Sequence, residues 1–173
     1  MHPAHPLALL HIPGGLLVAL SSRELQFVLQ PYHHLIRLAH ILATSGFFGA
    51  IALLDLRLIG GRGGPSLRSL AEHAAPWLYG SFAVSCVTGV LLFLYDPVHV
   101  GSHAYFTPKL ILLALGLANA AGFHRTGYAE ALTAATRLPA GARWAGLLSL
   151  ALWVGVMVCA GLNGEAAPRV LLR

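Results

Sequence analysis

The stretch HHLIRLAHILATSGFFGAIALLDLRLI, His33 to Ile59, decides the fold. Between Leu38 and Leu54 it carries one ionisable side chain, His40, and otherwise reads as a helix suited to hydrocarbon. A bilayer core about 30 Å thick needs roughly 20 apolar residues in helical form, and this run supplies them. An imidazole in such a span is costly unless something satisfies it, so His40 is the residue that asks for an explanation.

The rest of the chain agrees with that reading. Of 173 residues, 57% are hydrophobic and 10% charged, and the mean hydropathy is +0.71. A soluble domain carries about 25% charged residues, so the polar surface that water requires is missing. Three further apolar blocks follow: PWLYGSFAVSCVTGVLLFLY (76–95), AYFTPKLILLALGLANAAGF (104–123) and RWAGLLSLALWVGVMVCAGL (143–162). With 35–56 from the opening stretch they predict an all-α transmembrane four-helix bundle over 32–173. Breaks at GGRGGPS, DPVHVGSH and LPAGAR separate the spans. Ser69 and Glu72 stand in capping-box spacing, which predicts a second helix that starts before Pro76 and carries His73 in its first turns. Residues 1–31, apolar but broken by Pro13-Gly14-Gly15, read as an interfacial or re-entrant segment and not as a signal peptide.

The net charge of +5 comes from arginines near helix ends, which is membrane anchoring and points away from nucleic acid. Arg57, Arg62 and Arg68, then Arg125, Arg137 and Arg143, fall in the first and third connections. That bias predicts both termini on the periplasmic side of a multi-pass protein. Cys86 and Cys159 sit in different spans without CxxC spacing and read as small packing residues. Small residues recur every four positions: Ser81, Ser85 and Gly89; Ala118 and Gly122; Ala151, Gly155 and Cys159. Such stripes let helices approach closely, or leave room for a flat ligand.

Ten histidines against one lysine, Lys109, is the unusual feature of the composition. On the predicted topology they sort into two layers. His40, His99 and His103 fall toward one face, His73 and His124 toward the other. Haem iron takes axial ligands from opposite sides of the porphyrin, and bundles build cofactor sites from facing helices. The expected pairs are His40 with His103 and His73 with His124, holding one or two haems b, with His99 and Met157 as rival ligands. Arg37 and Arg125 stand where they can pair with propionates. Near helix ends an imidazole can also reach water or headgroups without any metal, and His33 and His34 read as interfacial. His2, His5 and His11, spaced around prolines, are candidates for copper or zinc. Asp55 and Arg57 look like a helix-end charge pair or a contact for the next loop.

The segments LIRLAHILATSGFFGAIALLDLRLIG, PWLYGSFAVSCVTGVLLF and YFTPKLILLALGLANAAGFHR resemble a family of small bacterial integral membrane proteins, distantly similar to the membrane part of copper-resistance D proteins. The resemblance covers about 35–125 and places His40 and His124 inside matching motifs, with His73 and His103 outside them. It implies a helical bundle in a bacterial inner membrane and no established activity.

The sequence contains no nucleotide-binding loop and no base–nucleophile constellation. The functional expectation is therefore a membrane cytochrome b that links the quinone pool to an external redox partner or other membrane subunits. Copper transport or delivery through His40, Met157 and the amino-terminal histidines is the alternative, weakened by the scarcity of methionine. A cofactor-free structural subunit is the third reading.

Overall fold

In hydrocarbon no water pairs with exposed backbone groups, so each apolar segment must close its own hydrogen bonds as a helix. The computed structural model, which describes residues 12–60, 65–134 and 138–164, is helical throughout with no strand among those residues. His2, His5 and His11, with Arg62, Arg137, Arg169 and Arg173, lie outside them. The helices are α1 (Gly14–Ala19), α2 (Arg23–Leu29), α3 (His33–Ile59), α4 (Leu67–Tyr95), α5 (Pro97–Ser102), α6 (Phe106–Thr126), α7 (Tyr128–Thr133) and α8 (Ala140–Gly164). Four stretches are long and apolar enough to cross a membrane: Arg23–Ile59, α4, α6 and α8. The all-α, four-span architecture expected from the sequence is the observed one.

The span ends follow local chemistry. The long third helix ends at Gly60, whose φ of +124° suits glycine and few other residues. There Arg143 of α8 donates from Nε to the Ile59 carbonyl at 3.1 Å, satisfying an acceptor that the helix end leaves free. The fourth helix does begin before Pro76, but its cap is Ser66, whose Oγ accepts from the Ser69 backbone at 3.1 Å. Glu72 turns instead to Arg68 at 2.9 Å, an exposed pair of little energetic consequence. The break read at DPVHVGSH contains α5, capped by Asp96 accepting from the His99 backbone at 3.1 Å.

α3 is the hub. It packs along both α4 and α8, and α8 packs along α6. By contrast, α4 and α6 do not pack along their lengths; they meet near α5, where the Phe93 and Phe106 rings stack at 5.3 Å. The centre of the bundle is aromatic. Phe47 of α3 and Trp153 of α8 make an edge contact at 4.6 Å, with Phe82 of α4 at 5.0 Å from Phe47. Leu112 and Leu113 of α6 close the cluster.

Glycines set how closely the helices approach. A Cβ added at Gly146 of α8 would lie 2.9 Å from the Leu58 Cβ and 3.0 Å from the Asp55 carbonyl. Gly116 of α6 faces the Trp153 indole in the same way, at 3.2 Å. The stripe Ser81, Ser85 and Gly89 does face α3, as its spacing predicts. Ala118 and Gly122 do not form the contact face of α6: Ala118 is exposed, and nothing lies within 4 Å of a Cβ added at Gly122. Asn119 does that work, donating from Nδ2 to the Ala145 carbonyl of α8 at 3.0 Å.

Candidate functional site

His40 reaches sideways from α3 onto α4. Its Nδ1 lies 3.1 Å from the Ser85 carbonyl and 3.0 Å from Thr88 Oγ1. A carbonyl can only accept, so Nδ1 carries the proton. Thr88 Oγ1 has its own acceptors, the Val84 carbonyl at 2.6 Å and that of Ser85 at 3.2 Å, which leaves its oxygen free to receive the imidazole N–H. The tautomer is thereby fixed, and in the neutral ring Nε2 is a bare lone pair with no hydrogen-bond partner among the described residues. One turn along, Thr44 and Ser85 join their hydroxyls at 2.8 Å. Interhelical hydrogen bonds of this kind are worth about 0.6–2 kcal/mol each in a membrane.

Gly89 makes the approach possible. A Cβ there would stand 3.1 Å from His40 Cε1 and 4.0 Å from Nε2. Lys109 of α6 is close enough for its charge to interact with His40 and with Cys159 of α8. The Lys109 ammonium sits 5.0 Å from the centre of the Phe106 ring, a cation–π contact, and that ring stacks on Phe93 of α4. The direct polar contacts of the site are those of His40 with Ser85 and Thr88 across the α3–α4 seam. Sequence reasoning singled out His40 but passed over Lys109 and Thr88. The signal available for Lys109 was its being the sole lysine, placed just inside a span.

The other predicted ligands are distributed differently. His103 turns to His99, with Nε2 to Nε2 at 3.4 Å. Met157 is half-buried on α8. His33 rests on the Tyr95 ring at 4.5 Å. At the opposite end His124 stacks on Tyr128 at 4.7 Å and makes no ring contact or hydrogen bond with His73, which is exposed. Burial pushes the Tyr128 phenol above its ordinary pKa, and Tyr79 and Glu72 add to the shift. Arg37 and Arg125 are exposed. Cys86 and Cys159 are both free thiols. Among the described residues no three His, Cys, Asp or Glu side chains converge as a metal cluster.

These positions decide how far a haem fits. His40 has the anchored Nδ1–H and free Nε2 of an axial ligand, because ligating histidines give their other N–H to a carbonyl or carboxylate. Gly89 makes room for the imidazole itself against α4, and Lys109 is a cation of the kind that can pair with a propionate. A porphyrin on the bundle axis would collide with Phe47, Phe82 and Trp153, so one held by His40 would have to lie away from that aromatic cluster. His103 is engaged with His99, whereas the His40 Nδ1 is anchored on a backbone carbonyl of the neighbouring helix.

Asp55 is the second buried polar group in the spans, 4% exposed on α3. The Ser149 hydroxyl of α8 faces it, and its Oδ2 has no hydrogen-bond partner among the described residues. The Asp55 side chain thus points into the α3–α8 contact, while Arg57 reaches the next loop, donating from Nε to the Pro65 carbonyl at 3.1 Å, the loop contact that is the other expectation for this pair. Asp55→Asn keeps the shape without the ionisable group. It is expected to stay within about 1 kcal/mol of wild type in thermal unfolding, or to gain, since no partner of the carboxylate is lost.

Comparison with known proteins gives no match: no family model fits the chain, and no curated protein or solved structure is similar to it.

Proposed function

We propose that this protein is a membrane-embedded electron-transfer subunit that holds haem b at Nε2 of His40. The observation that carries the reading is the fixed tautomer of His40: the Ser85 carbonyl and Thr88 Oγ1 accept from its Nδ1–H, which leaves an unpaired nitrogen lone pair on Nε2 inside the span. Such a lone pair serves no packing purpose, and orienting one for metal is what an outer hydrogen bond to a ligating histidine does. Haem, when bound, supplies reversible one-electron transfer. The chain's own residues hold the imidazole in place, keep the ligating nitrogen unprotonated and set Lys109 where it can pair with a carboxylate. The bacterial inner membrane, the quinone pool and a redox partner on the far side belong to the same proposal.

Lys109 also favours haem over the copper alternative. A bare cation at His40 would meet the lysine's positive charge, whereas a haem brings carboxylates that the ammonium neutralises.

The test is an absorption spectrum of protein purified from haem-replete cells, oxidised and then reduced with dithionite. Wild type is expected to show Soret and α bands, His40→Ala to lose them, and His103→Ala to keep them. Colourless, iron-free wild type would refute the reading and leave a structural subunit as the better description, and unchanged bands in His40→Ala would refute His40 as the haem ligand.

A further inference from the structure

A second nitrogen pair stands apart from His40, on the connection between α4 and α6. Helix α5 is firmly held. Pro97 at its first turn is fully buried, Asp96 caps it through the His99 backbone, and Ser102 Oγ donates to the His99 carbonyl at 3.0 Å. Leu17 of α1 presses on Gly101 so closely that a Cβ there would come within 2.5 Å of it. On this support His99 and His103, four residues apart, turn their rings together. The centroids lie 4.8 Å apart at an interplanar angle of 77°, and the two Nε2 atoms face each other at 3.4 Å.

That separation has a chemical meaning. A tetrahedral zinc binds imidazole at about 2.0–2.1 Å, which puts two neighbouring ligand nitrogens about 3.3–3.4 Å apart. Square-planar coordination at the same bond length would need about 2.9 Å. Without metal, one Nε2–H donates to the other Nε2 at this separation, and turning the rings brings both lone pairs onto a common ion with the nitrogens the same distance apart. His99 is exposed and His103 half-buried, so a bound ion keeps open positions for water.

We propose that His99 and His103 form a two-histidine chelate for a tetrahedral divalent cation, zinc foremost, at the surface beside α5. This site is independent of the haem reading at His40 and stands or falls separately. Its ion exchanges with solution, since two protein ligands hold it and the other positions are open.

Zinc chloride titrated calorimetrically into the full-length protein in nanodiscs tests this. The background carries His2, His5 and His11 all changed to Asn, so that the amino-terminal histidines do not compete. One zinc per chain is expected. His99→Asn and His103→Asn should each weaken it by at least about tenfold, no less than the loss of an outer-shell partner costs. The double variant should bind no more tightly than either single one. Cobalt(II) in place of zinc is expected to give the intense visible bands of a tetrahedral site in the parent and not in the variants. Unchanged zinc affinity in both single variants, or cobalt bands of the weak octahedral type in the parent, would overturn the proposal. Circular dichroism of each variant separates loss of the site from loss of the fold.

Discussion

Gly146→Ala is expected to destabilise the bundle by about 1–3 kcal/mol, the range for forcing extra volume into a well-packed contact. The new methyl group would meet Leu58 Cβ at 2.9 Å and the Asp55 carbonyl at 3.0 Å. One of those neighbours is backbone and the other a Cβ fixed to it, so neither can swing away. The two helices must separate, and with them the Arg143 hydrogen bond that caps α3 at Ile59. Gly146→Leu should prevent folding altogether. A helix-interior alanine ordinarily stabilises by about 0.5–1 kcal/mol relative to glycine, so the sign of the effect is diagnostic. Gly122→Ala, with nothing within 4 Å of the added carbon, is the control and should be neutral or slightly stabilising. Thermal unfolding in detergent reads both. Equal stability of Gly146→Ala and wild type would mean that the α3–α8 contact is looser than described.

Trp153→Ala is expected to cost about 3–5 kcal/mol, the range for deleting a large buried aromatic. Trp153 is 4% exposed and holds Phe47 on one side while Gly116 is flush with it on the other. In lipid the gain from leaving water is absent between helices, so the loss falls on packing contacts and on the void left behind. The indole Nε1–H is buried without a hydrogen-bond partner among the described residues. Trp153→Phe therefore sacrifices no hydrogen bond and should cost less than about 2 kcal/mol. Unfolding midpoints of the two variants distinguish ring volume from polarity. A Phe variant as unstable as the Ala variant would show that the N–H is used.

Hydropathy made the four spans legible, because lipid permits a long apolar segment hardly any state but a helix. The first span, read as 35–56, extends by a few residues at each end to His33–Ile59, and the second starts nine residues before Pro76, at Leu67. Short pieces escaped. The six residues of α5 and of α7 are too few to show a periodic pattern, and Asp96 and Gly127 announce themselves as breakers more loudly than as caps. Spacing alone found the contact stripe of α4 but misplaced that of α6, since small residues recur on several faces of an apolar helix. Gly116 and Gly146, the tightest approaches onto α6 and α8, are distinguishable from other glycines only once the partner helix is known.

At the site, His40 stood out because an imidazole in hydrocarbon has few innocent explanations. Its partners were not legible. Ser85 and Thr88 look like ordinary small residues until α3 is laid against α4, and a backbone acceptor leaves no trace in a sequence. Which histidines meet depends on side-chain direction at helix ends. His99 and His103 lie four apart and share a face, whereas assigning His103 to His40 required a long-range geometry that spacing does not encode.

The four long helices are joined in a row, α4 to α3 to α8 to α6, and the last side between α4 and α6 is pinned near α5 by the Phe93–Phe106 stack. Parting those two rings would unzip one edge of the protein while the three extensive helix contacts stayed whole. That edge is therefore the seam most easily opened, and a change at Phe93 or Phe106 should loosen it while leaving the aromatic centre built on Phe47 and Trp153 in place.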